Sequence, residues 1–399
     1  MALRRVVIGN ATRPSKHKDT SFQATRHVAF TDITRFILIE YKKTSMKRRD
    51  FIRNSALAGL ATAMPLAAEA AGKKKTKPTE VPKEPELNAE NQRFKFRPDG
   101  KFKILQFTDT HYITGDNRSP RALKNVIEML DTEKPDLVIH TGDIIFGKPA
   151  EQSLKEILAP MGERKIPFAV AMGNHDGQYD KNRKEVFDIV KTLPGNINRG
   201  IEGIYGDSND LITLVGADGQ TKWAFYLFDS GDSCSDPDIK GYDYIHWDQI
   251  NWYRQTSAKL RQQNGDKPLP SLAFFHIPVP EFTWGLRYDT HRILKGNFGE
   301  DPCPPSVNSG LFVSMKEMGD VQAIICGHDH DDDYAMQWRG LFLIYGRFSG
   351  CDTVYNNLKP NGARVIELTE GQPGFRSWIR CFGGEICQDL RFPDAFKKY

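Results

Sequence analysis

The chain is sparing with cysteine. Six occur in 399 residues (Cys234, Cys303, Cys326, Cys351, Cys381 and Cys387), and none forms a CxxC pair. That argues against thiolate metal ribbons and dithiol redox motifs. There is no Gly-x-Ser-x-Gly elbow and no Walker-type phosphate loop, so elbow-serine hydrolysis and P-loop chemistry are excluded as well. Internal repeats are missing. A broad positive field is missing too, although the net charge is +4. Residues 1–70 hold 13 Lys/Arg against 5 Asp/Glu, whereas residues 71–399 hold 42 against 46. The basic surplus lies in the leader, and the mildly acidic body argues against long nucleic acid as a partner.

The leader has its own grammar. Residues 46–70 combine a basic start (Lys47-Arg48-Arg49), a modest apolar stretch and the small-residue signal Ala68-Glu69-Ala70. This reads as a bacterial twin-arginine export signal, engaging that machinery transiently. The destination is then the periplasm or the outside of the cell. The apolar stretch is short and rich in Ala, Gly and Thr, so no stable membrane anchor is expected. On this reading residues 1–45 are an upstream extension. The rival is an organelle transit peptide over residues 1–35, which are Arg-rich and acid-poor. Residues 71–93, with Lys73-Lys74-Lys75 and spaced prolines, form a flexible linker. Residues 94–399 form the folded domain.

Within that domain five apolar runs end in the same way. Lys103–Thr108 leads into Asp109-Thr110-His111, and Asp136–Thr141 into Gly142-Asp143. Ile166–Met172 leads into Gly173-Asn174-His175-Asp176, Ser271–Phe275 into His276, and Ile324-Ile325-Cys326 into Gly327-His328-Asp329-His330. Each run predicts a buried strand. Each delivers Asp, Asn or His at its C-terminal end, the edge where open α/β sheets bind ligands. Between them the spacing predicts helices over 119–133 (with Ser119 as N-cap), 151–163, 181–192, 246–263 and 306–319. Further strands are expected at 211–215, 223–229, 334–339, 341–346, 363–369 and 375–381. Phe94, Phe96, Phe102 and Ile104 alternate about Pro98-Asp99-Gly100 and predict a hairpin. Residues 277–305 read as a long irregular stretch. Helices alternate with strands early and strands cluster late, which predicts two mixed sheets packed face to face with helices outside.

Asp109, His111, Asp143, Asn174, His175, His276, His328 and His330 offer oxygen and imidazole donors suited to Mn, Fe or Zn. They are too many for one ion. Shared over two, with Asp143 bridging, each ion has four protein ligands. Other polar residues carry blander readings. His140 packs within its strand. Asp329, Asp331, Asp332 and Asp333 lack the spacing of a calcium loop and read as a solvated turn. His246, His291, Trp284, Arg287 and Tyr288 are either pocket contacts or surface. Cys381 and Cys387 could bridge in an oxidising compartment, and the spacing leaves that open.

The order Asp-x-His, Gly-Asp, Gly-Asn-His-Asp, His, Gly-His-x-His over residues 109–330 resembles the calcineurin-like metallophosphoesterases. Tyr242-Asp243-Tyr244-Ile245, Gln249–Tyr253 and Phe274–Glu281 resemble the branch labelled purple-acid-phosphatase-29-like. The resemblance implies a four-layer α/β/β/α sandwich, the metallo-dependent phosphatase fold, with a dinuclear centre. It implies hydrolysis of phosphomonoesters or diesters of small substrates, with a hydroxide formed from metal-activated water as nucleophile. Asp109, His111, Asp143 and His330 would hold one ion, and Asp143, Asn174, His276 and His328 the other. His175 would act on the phosphate or the leaving oxygen, and Asp176 would orient His175 by a hydrogen bond. One departure stands out. Purple acid phosphatases carry a tyrosine ligand three residues after the bridging Asp, and here Phe146 stands there while His111 is gained. A nuclease, a cyclic-nucleotide phosphodiesterase and a non-catalytic metal-binding member are the alternatives.

Overall fold

The computed structural model describes residues 93–397. The export signal, the upstream extension and almost all of the linker lie outside the described residues. Fourteen strands are described. The first seven are β1 (Arg93–Lys95), β2 (Lys101–Phe107), β3 (Leu137–His140), β4 (Phe168–Val170), β5 (Asp210–Val215), β6 (Thr221–Leu227) and β7 (Ser271–Phe274). The rest are β8 (Leu294–Lys295), β9 (Val321–Cys326), β10 (Ala335–Trp338), β11 (Leu341–Tyr345), β12 (Gly362–Thr369), β13 (Phe375–Cys381) and β14 (Ile386–Phe392). They form an eight-stranded sheet, β1-β5-β6-β7-β9-β11-β10-β8, and a six-stranded sheet, β14-β13-β12-β2-β3-β4. Six helices accompany them: α1 (Pro120–Glu133), α2 (Ala150–Glu163), α3 (Arg183–Thr192), α4 (Trp247–Gln263), α5 (Glu281–Tyr288) and α6 (Leu311–Met318).

Side-chain alternation builds four layers, as expected. Along β2, Phe102 and Ile104 face the core between the sheets, while Leu105 and Phe107 face α1 and α2. Along β6, Phe225 and Leu227 enter the same central core, while Tyr226 and Phe228 pack beneath α4. Both faces of the central strands are therefore apolar, which is why they read as continuous runs. β2, β3 and β4 are mutually parallel, as are β6, β7 and β9. Their C-terminal ends consequently gather at the same edge of the sandwich.

Four local expectations fail, each for a physical reason. The turn at Pro98–Gly100 does close, with Arg97 donating to Lys101 and Gly100 to Arg97. Its arms nonetheless part: β1 pairs with β5 in one sheet and β2 enters the other. Ser119 does not cap α1 with its side chain, because its hydroxyl accepts the Ile113 amide at 2.9 Å. The stretch 277–305 is not all irregular, since it contains α5 and β8. The helix expected from residue 306 starts only at Leu311, after Pro304-Pro305 and a left-handed Gly310 (φ 90°). β14 went unforeseen because Cys387, Gln388, Asp389 and Arg391 break up its apolar signal.

Candidate metal centre

The five strand ends converge. β2 delivers Asp109 and His111, β3 Asp143, β4 Asn174 and His175, β7 His276, and β9 His328 and His330. Their side chains gather as two neighbouring groups, Asp109–His111–His330 and Asp143–His276–His328. Asn174 Oδ1 joins the second, 3.1 Å from His276 Nε2. All seven are buried. Tight chain reversals bring this about. Asp109, His111, Asp143 and His328 all have positive φ (56°, 43°, 52° and 82°), a strained choice for residues with side chains and a common one at functional sites. The amides of Asp109 and His111 lace this turn to the carbonyls of Gly142 and Asp143, each at 3.0 Å. Two glycines make room. A Cβ on Gly327 would overlap the Thr108 hydroxyl and lie 2.7 Å from Asp109 Oδ2, and one on Gly173 would run into the Asp143 carboxylate.

Each aspartate has one oxygen tied down and one free to face the imidazoles. Asp109 Oδ2 accepts from the Thr108 hydroxyl (2.6 Å) and the His328 amide (3.1 Å). Its Oδ1 faces His111, His330 and His276 at 3.7, 3.6 and 3.9 Å. Asp143 Oδ1 accepts the His175 amide at 2.8 Å. Its Oδ2 lies 3.6 Å from His111 and 3.2 Å from His276, between the two groups.

Outer hydrogen bonds fix the orientation of two of the four imidazoles. His276 Nδ1 donates to the Thr141 carbonyl at 2.7 Å, and His330 Nδ1 to the Tyr355 carbonyl at 2.9 Å. Their Nε2 atoms therefore face inward, His330 against His111 Nε2 at 3.1 Å and His276 against His328 Nδ1 at 3.3 Å. So many acceptors can share one space only around positive charge. Burial pulls His276 down, yet Asp143 and Asp109 outweigh it and push the ring up to about 9. Burial opposes ionisation of Asp143 and Asp109, but the surrounding imidazoles hold both well below the usual carboxylate range. Burial and the charge on His276 push His328 down to about 3. The donor set fits two cations of the Mn, Fe or Zn type.

The remaining expectations divide. His175 lies beside the centre, its Nε2 4.0 Å from Asp143 Oδ2, packed against Phe146 (4.8 Å) and His111 (5.6 Å). Phe146 only packs there. Asp176 does not orient His175. Its carboxylate accepts the amides of Gly173 (2.8 Å), Asp143 (3.1 Å), Ile144 (2.7 Å) and Ile145 (3.3 Å), so it pins the turn that carries Asp143. Burial, then Asp143, raises it to about 6. His140 is buried against the Thr110 hydroxyl, as expected. His246 is sandwiched between Tyr205 and Tyr244 and bonded to Asp243. His291 sits in an exposed turn, and Trp284 and Tyr288 lie on the exposed side of α5. Asp329, Asp331, Asp332 and Asp333 are not solvated. All four are buried, with the segment 297–303 and Asn357 folded over them: Asn297, Gly299 and Cys303 donate amides to Asp333, Asp332 and Asp329. The Cys381 and Cys387 sulfurs lie 2.9 Å apart.

Several contributors are not among the site residues that the sequence marks. The Thr141 and Tyr355 carbonyls act through the backbone. Tyr355 stacks on His330 at 4.5 Å, and Tyr242 meets His328 edge-on at 4.5 Å. Gln178 accepts from His175 Nδ1 at 2.7 Å.

A four-layer sandwich whose parallel strand ends gather two sets of carboxylate and imidazole donors is a candidate dinuclear metal protein. The chain belongs to the calcineurin-like phosphoesterase family, whose profile matches residues 102–332. It is 34% identical over 291 residues to probable inactive purple acid phosphatase 29 of Arabidopsis thaliana, covering 65% of this chain and 74% of that one. It is 32% identical over 325 residues to probable inactive purple acid phosphatase 28 of the same plant, covering 72% and 80%. Phosphatase DCR2 of Saccharomyces cerevisiae is 30% identical over 333 residues, which is 73% of this chain and 56% of that one.

Proposed function

We propose that this protein hydrolyses phosphate esters of small molecules at a pair of metal ions. The observation that carries the proposal is the convergence of seven donors from five strand ends, with imidazole nitrogens facing one another across a few ångströms. Asp109, His111 and His330 would hold one ion, His276, His328 and Asn174 the other, and Asp143 Oδ2 both. Such a pair supplies acidified water and neutralises charge on phosphoryl oxygens. The chain's own groups do the rest. Outer hydrogen bonds turn Asp109, Asp143, His276 and His330 inward, and His175 presents Nε2 on the same side, where it can donate a proton to the leaving oxygen. We further propose that residues 46–70 export the folded protein through the twin-arginine route. A reporter fused to these residues tests that, and cytoplasmic retention would refute it.

Two relatives carry "probable inactive" in their names, and this favours a second reading, metal binding without turnover. Phosphate release decides between them. Protein loaded with Mn, Fe or Zn should act on a panel of phosphomonoesters and diesters. His175→Ala should retain its metal and lose roughly 100-fold or more in kcat. Loaded protein that releases no phosphate would establish the second reading.

A further inference from the structure

We propose that Gln178 and Asp232 are the positioning residues of His175, in the place the motif reserves for Asp176. The inference rests on the role given to His175 above. Asp176 cannot serve, since its two oxygens already accept four backbone amides. His175 Nδ1 instead meets Gln178 Oε1 at 2.7 Å, and Gln178 Nε2 meets Asp232 Oδ1 at 2.8 Å.

The chemistry of these groups allows one arrangement. An ionised carboxylate only accepts, so Asp232 must receive the amide N–H of Gln178. The carboxamide is thereby turned with its oxygen toward the imidazole. That oxygen also only accepts, so His175 must carry a proton on Nδ1. The nitrogen left without a proton in the neutral ring is then Nε2, the atom nearest Asp143 Oδ2. Phe146 and His111 hold the ring plane by packing, and the hydrogen bond selects between its two flipped orientations.

The far end of the relay is anchored as well. The Asp232 carbonyl accepts the Asp243 amide at 2.8 Å, and Ser233 pairs with Tyr242. The Tyr242 ring is the one packed edge-on against His328. The segment 229–243 therefore sets His175 through Gln178 and abuts a ligand of the second group. An outer partner of this kind fixes tautomer and orientation, and its loss typically costs about 10- to 100-fold in activity or metal affinity.

The test uses the full chain in two measurements. Long-range 1H–15N NMR, with His175 assigned by comparison with His175→Ala, reads the tautomer of the neutral ring in metal-free protein. Steady-state kinetics and metal content are then measured on loaded protein. Wild type should hold the proton on Nδ1. Gln178→Leu should give a mixture of tautomers and lower kcat about tenfold, with KM and bound metal unchanged. Asp232→Ala should act in the same direction, and Asp232→Asn, which keeps an acceptor, should restore both readouts. A wild-type tautomer and wild-type kcat in Gln178→Leu would overturn the proposal. A fall in kcat that tracks metal loss would overturn it too. If loaded wild type released no phosphate, the hydrolase reading would fail, and the tautomer measurement would still decide the relay.

Discussion

At the scale of single residues the site is a problem of space and lone pairs. Gly327 illustrates the space. Any Cβ there meets the Thr108 hydroxyl and Asp109 carboxylate, so Gly327→Ala must displace a proposed ligand. We expect it to lower metal content measured after desalting, and to cost about 1–3 kcal/mol in denaturant unfolding of the metal-free protein. Unchanged metal content would contradict the packing account. The ligand residues were legible because chemistry restricts them to Asp, Asn and His at strand ends. Their supports were not. The carbonyls of Thr141 and Tyr355 belong to no residue type, and Gln178 differs from any exposed glutamine only in what stands 2.7 Å away. Asp176 departs from the role the family resemblance implies, because a tight turn sends its carboxylate back to the amides of 143–145.

At the scale of elements, periodicity carried most of the information. Parallel strands buried on both faces and helices with one apolar stripe announce themselves. Pairing does not, because the same Phe94–Ile104 alternation serves a hairpin or a strand that changes sheets. Acidic runs mislead in the same way. Asp329–Asp333 looked solvated because the segment that buries them, 297–303, lies far back in the chain. Cross-element polar contacts also set stability. Glu133 at the end of α1 accepts from Trp378 (3.1 Å) and Arg380 (2.6 Å) on β13, and Lys103 on β2 adds a third contact (3.2 Å). Burial alone would raise its pKa, but these partners outweigh burial and lower it. A carboxylate lowered in the folded state stabilises the fold above its unfolded pKa and loses that contribution as pH falls. Glu133→Gln should therefore cost about 1–3 kcal/mol at neutral pH. The gap to wild type should close progressively below about pH 4.5. Denaturant melts across pH would reveal it, and a gap independent of pH would refute the assignment.

At the scale of the whole molecule, two sheets with separate helix layers are tied together at one edge by the ligands themselves. β2, β3 and β4 supply donors from one sheet, β7 and β9 from the other. Cations bound there would cross-link the sheets and bind only the folded chain. Each ion at 100 to 1,000 times its dissociation constant should add about 3–4 kcal/mol of stability. A chelator should therefore lower the melting temperature and metal should restore it, with equal melting curves contradicting the cross-link. The central claim is that two ions share Asp143, and elemental analysis of loaded, desalted wild type beside Asp143→Asn tests it most directly. The account predicts two ions per chain in wild type and losses from both sites in the variant. One ion or fewer in wild type, or two retained in Asp143→Asn, would contradict it.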